Sequence, residues 1–253
     1  MHSNIQTAGA PAPSRRGLLR AAVAGSAAVG SVLTLGSALP ASAAPVPAPA
    51  PGAPEAAGRP GSPEEALRRL TAGNRRWRTY RQEHPHESPS VRLQLTRAQH
   101  PFALVLGCVD SRVPPELVFD QGLGDLLTVR SAGEVLDEAV LGSIAYGVLE
   151  LEIPLVLVLG HQSCGAVGAA VHADESGEPL PAHIQYLADQ IRPAIDHGQT
   201  GDARVAATID AHARRTRDRL AAEPDIARRV ATGRLAVVAA RYDLRDQAVR
   251  TLA

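Results

Sequence analysis

Cysteine is scarce and lysine is absent in this chain of 253 residues. The two cysteines allow at most one disulfide within the chain, so a framework of several disulfides is excluded. All 26 basic residues are arginines, which we interpret as a composition bias, and 26 acidic residues balance them. Because the chain has no excess of positive charge, nothing in its composition indicates a nucleic-acid partner.

The amino-terminal region has the pattern of an export signal. Residues 14–20 (Ser-Arg-Arg-Gly-Leu-Leu-Arg) precede an apolar, Ala/Gly/Val-rich run over residues 21–39, and residues 41–43 (Ala-Ser-Ala) follow as a cleavage site. This pattern resembles a twin-arginine (Tat-type) signal peptide over residues 1–43, which implies export to the cell envelope, periplasm or exterior. The alternative is a retained membrane anchor. We favour removal, with no membrane span left, because the run is weakly apolar and ends in a processing signal.

The rest of the chain divides into a spacer and one folded domain. Residues 44–61 are rich in Pro, Ala and Gly and have no pattern that could bury a face, so we expect a flexible spacer. Residues 62–253 alternate helical patterns with short apolar runs, which predicts an α/β fold with a mainly parallel central sheet flanked by helices. The first helix begins at Ser62, and we expect it to bend or break at Gly73-Asn74. We predict strands over residues 102–107, 126–130, 155–160 and 235–240, with a further edge strand over 247–252.

Two short segments carry the chemistry. Residues 108–112 (Cys-Val-Asp-Ser-Arg) and residues 161–165 (His-Gln-Ser-Cys-Gly) each follow a buried strand. The carboxyl ends of parallel strands are where this fold class places its ligand sites. Cys108, His161 and Cys164 together favour zinc, because thiolates and imidazoles are zinc ligands while magnesium and calcium prefer oxygen. A Cys108–Cys164 disulfide and a purely structural zinc site are the less favoured alternatives.

The fourth zinc position depends on the carboxylate of Asp110. If Arg112 pairs with Asp110, the position is open to water; if Asp110 binds zinc instead, the site is closed. With water bound, the Asp110 carboxylate could accept a hydrogen bond from it and orient it toward a substrate carbon. The N–H of Gly165, at a helix start, could receive the developing oxyanion.

These segments resemble the β-class carbonic anhydrases. The match includes the long run His-Pro-Phe-Ala-Leu-Val-Leu-Gly-Cys-Val-Asp-Ser-Arg and the run Leu-Gly-His-Gln-Ser-Cys-Gly-Ala-Val, and it extends over nearly the whole folded part. The matching residues are 67–77, 100–125, 159–167 and 241–244.

The resemblance implies a mechanism and an assembly. One Zn²⁺ per chain would be held by Cys108, His161 and Cys164, with Asp110 and Arg112 as the catalytic dyad. The expected reaction is reversible hydration of carbon dioxide to bicarbonate and a proton by a zinc-bound hydroxide. The resemblance also implies a homodimer or higher homo-oligomer, with the amino-terminal helix packing on a partner subunit.

Two functions remain open beside this one, and so does the role of one acidic residue. The alternatives are a carbonyl sulfide or carbon disulfide hydrolase on the same scaffold, and a non-catalytic zinc-binding protein. Glu134 follows the second predicted strand at a position where the family often has a neutral side chain. It could act in proton transfer, but we favour a role in capping the following helix, because an acid at a helix start is stabilising.

Overall fold

The computed structural model describes residues 58–253. The predicted signal peptide and most of the predicted spacer lie outside the described residues. At the end of that spacer, the Arg59 guanidinium donates hydrogen bonds to the carbonyl oxygens of Pro101 (2.8 Å) and Leu151 (3.3 Å). The last residues of the predicted spacer therefore contact the folded domain.

A five-stranded sheet forms the centre of the domain, with strand order β2-β1-β3-β4-β5. The first four strands run parallel, and β5 pairs antiparallel with β4 at one edge. Every residue of β1 and β3 is buried, as expected for strands covered by helices on both faces. The predicted α/β class with a mainly parallel sheet is confirmed. The strands are β1 Ala103–Gly107, β2 Leu126–Arg130, β3 Leu155–His161, β4 Ala236–Tyr242 and β5 Val249–Leu252.

Eight helices flank this sheet among the described residues. One face is covered by α4, α7 and α8, and α1 and α3 pack against the other. Two short 3-10 turns, Ala132–Glu134 and Arg192–Ala194, complete the regular structure. None of the helices in the described region is long and apolar enough to cross a membrane. The helices are α1 Pro63–Arg78, α2 Pro89–Leu95, α3 Pro115–Val118, α4 Glu138–Leu149, α5 Gly165–Ser176, α6 Ala182–Ile191, α7 Gly201–Ala222 and α8 Pro224–Ala231.

The amino-terminal helix α1 is continuous, so the predicted break at Gly73-Asn74 is wrong. Ser62 caps the helix by accepting a hydrogen bond from the Glu65 N–H. Gly73 lies where α1 approaches the backbone of Phe119 so closely that a Cβ would be 1.7 Å from the carbonyl oxygen. Glycine is therefore required here by packing and not by a turn. Leu70 of α1 is buried in the core of its own domain. The contact of α1 with a partner subunit stays a prediction.

Candidate active site

The sheet register brings the two predicted segments together. β1 and β3 are neighbours, and Gly107 pairs with Leu159. Cys108 therefore leaves β1 beside the end of β3, where His161 is the last strand residue. Ser163 takes a left-handed backbone conformation (φ 55°), and Cys164 follows it as the N-cap of α5. The chain thus turns tightly after β3, and the three residues converge at the carboxyl ends of the strands.

Cys108, His161 and Cys164 form a buried cluster that could hold a metal ion. Their three donor atoms lie within 4.8 Å of one another. The two sulfur atoms are 3.9 Å apart and both thiols are free, so the alternative of a disulfide is wrong for this structure. The His161 Nε2 atom is buried and has no hydrogen-bond partner in the protein, while Nδ1 lies 3.0 Å from the carbonyl oxygen of Gln162.

These contacts fit a zinc ion. A carbonyl partner keeps the proton on Nδ1 and leaves the lone pair of Nε2 free to bind a metal. A buried nitrogen without a partner is costly in the absence of a ligand. Two thiols and one imidazole are also one of the ligand sets found at zinc sites that keep one position open.

Hydrogen bonds make the two thiols unequal. The pKa of Cys108 is lowered because the Cys164 thiol donates to its sulfur, with further stabilisation from the Gly133 N–H. The pKa of Cys164 is raised because the same hydrogen bond favours its protonated form and because it is buried. Cys108 is therefore the sulfur that carries negative charge first, and a bound cation would favour the thiolate form of both.

Arg112 holds Asp110 at the edge of this cluster. The guanidinium donates from Nε to Oδ1 (2.9 Å) and from Nη2 to Oδ2 (2.7 Å), and the Arg112 backbone N–H also donates to Oδ1 (2.9 Å). These bonds lower the pKa of Asp110 to about 2, so the carboxylate is ionised at neutral pH. Its Oδ2 lies 3.9 Å from His161 Nε2. Of the two predicted arrangements the structure has the paired one, and zinc ligation by Asp110 stays a prediction.

Gly165 begins α5 on the exposed side of the cluster. Its backbone N–H belongs to the first helical turn, whose donors have no partner within the helix. A Cβ at this position would have nothing within 4 Å, so the approach to the N–H is open. The position is compatible with the predicted role of binding an oxyanion.

Glu134 does not cap the following helix, so that prediction is wrong. Asp137 is the N-cap of α4 and accepts a hydrogen bond from the Val140 N–H at 2.8 Å. Glu134 is 1% exposed, and neither of its carboxylate oxygens has a hydrogen-bond partner. Burial, and then the charge of Cys108, raise the pKa of Glu134 well above its usual value. This residue is therefore a buried acid behind the cysteine cluster.

Two further residues contact the site, and neither contact was predicted from the sequence. The Gly133 N–H donates to the Cys108 sulfur at 3.3 Å. The Arg130 guanidinium donates to the carbonyl oxygens of Cys108 (2.8 Å) and Asp110 (2.7 Å). Both residues follow or end β2, the neighbour of β1. Their position after a predicted strand was the only signal in the sequence, and it does not reveal which atoms they contact.

Comparison with known proteins agrees with this site. The carbonic anhydrase family model matches residues 103–249. Carbonic anhydrase 2 of Mycobacterium tuberculosis is 42% identical over 183 residues, which cover 72% of this chain and 88% of that protein. The carbonic anhydrase of Mycolicibacterium smegmatis is also 42% identical over 183 residues, covering 72% of this chain and 89% of that protein.

Solved structures show the same fold. The Coccomyxa β-carbonic anhydrase in complex with acetazolamide has a TM-score of 0.58 and 25% identity, covering 74% of this chain and 86% of its own. A structure from the study of two tetrameric β-carbonic anhydrases of Sordaria macrospora has a TM-score of 0.61 and 20% identity. The match covers 74% of this chain and 96% of that one. The family model, the bacterial relatives and the fold agree: the chain belongs to the β-class carbonic anhydrase family and is a carbonic anhydrase.

Proposed function

We propose that this enzyme binds one zinc ion through Cys108, His161 and Cys164 and catalyses reversible hydration of carbon dioxide to bicarbonate and a proton. The observation that carries the proposal is the buried His161 Nε2 atom, which has no protein partner and lies beside two free thiols. Bound zinc would supply a nucleophile at neutral pH, since it lowers the pKa of a coordinated water toward about 7.

The protein's own groups would orient this chemistry. The Asp110 carboxylate is kept ionised and fixed by Arg112, so it can accept a hydrogen bond from a water molecule and hold a lone pair toward the substrate carbon. Arg112 is itself anchored by a hydrogen bond to the Ser163 carbonyl oxygen at 3.2 Å. The Gly165 N–H can donate to the oxygen on which negative charge develops.

Stopped-flow carbon dioxide hydration tests the proposal, with zinc content measured on the same sample. We expect one zinc per chain, fast hydration, and a loss of about 100-fold in Asp110→Asn, the lower end of general-base effects. Asp137→Asn is the matched control, because asparagine caps a helix as well as aspartate does and Asp137 caps α4. One zinc per chain without hydration at any pH from 6.5 to 9 would contradict the proposal and favour carbonyl sulfide or carbon disulfide hydrolysis.

We infer that the enzyme is a homo-oligomer. β2 is an edge strand that pairs only with β1 in the described chain, and a free edge is a site at which a second chain can add. The chain segment that connects β1 to β2 also exposes two large apolar side chains, Leu117 (48% exposed) and Leu123 (49%). The Sordaria macrospora neighbours are described as tetrameric. Sedimentation equilibrium tests the inference, and a monomer at micromolar concentration would refute it.

We further propose export through the twin-arginine pattern at Arg15-Arg16, with removal of residues 1–43. The support is the order of charge, apolar run and small-residue cleavage site. Mass spectrometry of the exported protein should find Ala44 at its amino terminus. Replacing both arginines with lysine should leave the protein inside the cell, and unchanged export of that variant would overturn the proposal.

A further inference from the structure

Helix α7 places a histidine side chain behind the cysteine cluster. His212 is 2% exposed, and its Nε2 atom lies 2.8 Å from the carbonyl oxygen of Gly133. The contact joins residues that are 79 positions apart in the chain. His212 has no place in the catalytic roles assigned above, so its burial and its specific contact call for an explanation.

Gly133 connects this histidine to a zinc-ligating sulfur. The residue presents its carbonyl oxygen to His212 and donates its N–H to the Cys108 sulfur at 3.3 Å. N–H donation to a thiolate sets its orientation and its affinity for a metal. Any movement of Gly133 would therefore change the hydrogen bond that the Cys108 sulfur accepts.

The turn that contains Gly133 needs support from outside. Gly133 (φ 65°) and Glu134 (φ 42°) both have left-handed backbone conformations, and such a conformation is uncommon for a residue other than glycine. Within the turn, the Glu134 N–H donates to the Ser131 carbonyl oxygen at 3.1 Å. In residues 58–253, His212 is the only side chain that hydrogen-bonds the carbonyl oxygen of Gly133.

The imidazole is suited to a fixed structural hydrogen bond. Burial is the main cause that lowers the pKa of His212 to about 4, so the ring is neutral at physiological pH and carries a single N–H. The carbonyl of Gly133 requires this hydrogen on Nε2, which leaves Nδ1 without a proton. The Nδ1 atom is buried without a partner, so nothing in the described fold favours the other tautomer.

We propose that His212 is a positioning residue for the zinc site, which holds the Gly133 N–H on the Cys108 sulfur through the Gly133 carbonyl. The inference rests on the proposed binding of zinc by Cys108. Loss of the His212 hydrogen bond should weaken zinc binding by about tenfold, the lower end of the effect of removing a direct partner of a metal ligand, because His212 acts on Cys108 through Gly133. Direct contact with substrate is not part of this role.

The experiment compares three substitutions in the full-length holoenzyme. A glutamine side chain carries its amide nitrogen about as far as imidazole Nε2, whereas asparagine reaches only as far as Nδ1. His212→Gln should therefore keep zinc affinity within about threefold of the wild type, and His212→Asn and His212→Leu should lose about tenfold or more. Thr216→Val is the matched control, because Thr216 is buried one turn further along α7 (2% exposed).

Three readouts separate positioning from general damage to the fold. Zinc dissociation constants come from competition with a chromogenic chelator, and the sulfur-to-metal charge-transfer band of the cobalt-substituted protein reports thiolate ligation by Cys108 and Cys164 together. Unfolding of each metal-free variant in urea shows whether the fold is retained. We expect the band to shift or weaken in His212→Asn but to be kept in His212→Gln and Thr216→Val.

Each outcome decides between the alternatives. Equal zinc affinity in His212→Gln and His212→Asn, with both folded, would overturn the inference, and so would a loss of similar size in Thr216→Val. If His212→Leu does not fold, the pair of polar variants still decides the question. A wild-type protein that binds no zinc would instead overturn the proposed function, so the two failures are distinguishable.

Discussion

Replacing Gly73 with alanine should disrupt the packing of the amino-terminal helix. A Cβ at this position would lie 1.7 Å from the Phe119 carbonyl oxygen and 2.7 Å from its carbonyl carbon, while ordinary contact begins near 3.4 Å. The obstacle is backbone and cannot rotate away. Helix α1 would therefore have to move by more than 1 Å relative to the segment that follows α3.

The neighbouring Asn74 determines the size of the effect. Its side chain donates to the carbonyl oxygens of Val118 (3.1 Å) and Gln247 (3.0 Å) and accepts from the Val249 N–H (2.9 Å). A displacement of more than 1 Å breaks such bonds, at about 1 kcal/mol each. Overpacking adds about 1–3 kcal/mol to this loss of stability, and the higher helix propensity of alanine offsets about 1 kcal/mol of it. We expect a net loss of about 3–5 kcal/mol in the free energy of unfolding.

Urea unfolding followed by circular dichroism measures this loss, at constant zinc and protein concentration because both affect apparent stability. Gly142→Ala is the matched control. Gly142 lies exposed inside α4, and nothing lies within 4 Å of the position that an added methyl group would take, so alanine should stabilise the protein by about 0.5–1 kcal/mol. If Gly73→Ala proves as stable as the wild type, the close approach of α1 to Phe119 is wrong.

Three further predictions concern buried titratable groups. Burial lowers the folded-state pKa of His212 to about 4 from 6.5, so the unfolded state binds more protons between these values and stability should fall as the pH drops through this window. Relative to His212→Gln, the free energy of unfolding of the wild type should fall by about 3 kcal/mol across this window, as measured by urea unfolding. An identical pH dependence of the two proteins would refute the prediction. Glu134 has the opposite sign: its folded-state pKa is raised above 4.5, so its contribution is present below that pH and lost as the pH rises. As the pH rises above 4.5, the free energy of unfolding of the wild type should therefore fall relative to that of Glu134→Gln. A difference between the two proteins that does not change with pH would contradict the burial of an unpaired acid. Oxidation of the metal-free protein should join Cys108 to Cys164, whose sulfurs are 3.9 Å apart, without dimer formation on non-reducing gels; zinc should prevent the reaction, and equal oxidation of both forms would contradict zinc ligation by these thiols.

Local patterns were sufficient to predict the sheet and to locate the site. The runs before Cys108 and His161 are continuously apolar, and a short run of this kind between polar segments predicts a buried strand. Parallel strands place their carboxyl ends at the same edge, so the two motifs could be brought together without any coordinates. The edge strand near the carboxyl terminus was also predicted, although its antiparallel direction was not.

Other features depended on contacts that no local pattern records. The glycine in α1 indicated a break because glycine is a poor helix former, but its reason is the Phe119 backbone, far away in sequence. The helix α8 was not predicted. Glu134 precedes a helix, as a capping acid would, yet the turn directs its side chain inward and Asp137 caps the helix.

The sequence by itself determined the fold class, the two strand-end motifs and the residue types that can bind zinc, because periodicity and residue chemistry act over short stretches of chain. Only the tertiary structure decided which groups surround those ligands. The pairing of Arg112 with Asp110, the burial of Glu134 and the support of Gly133 by His212 depend on the packing of separate elements. That packing is set by close contacts between residues distant in sequence, and these contacts leave no periodic trace along the chain.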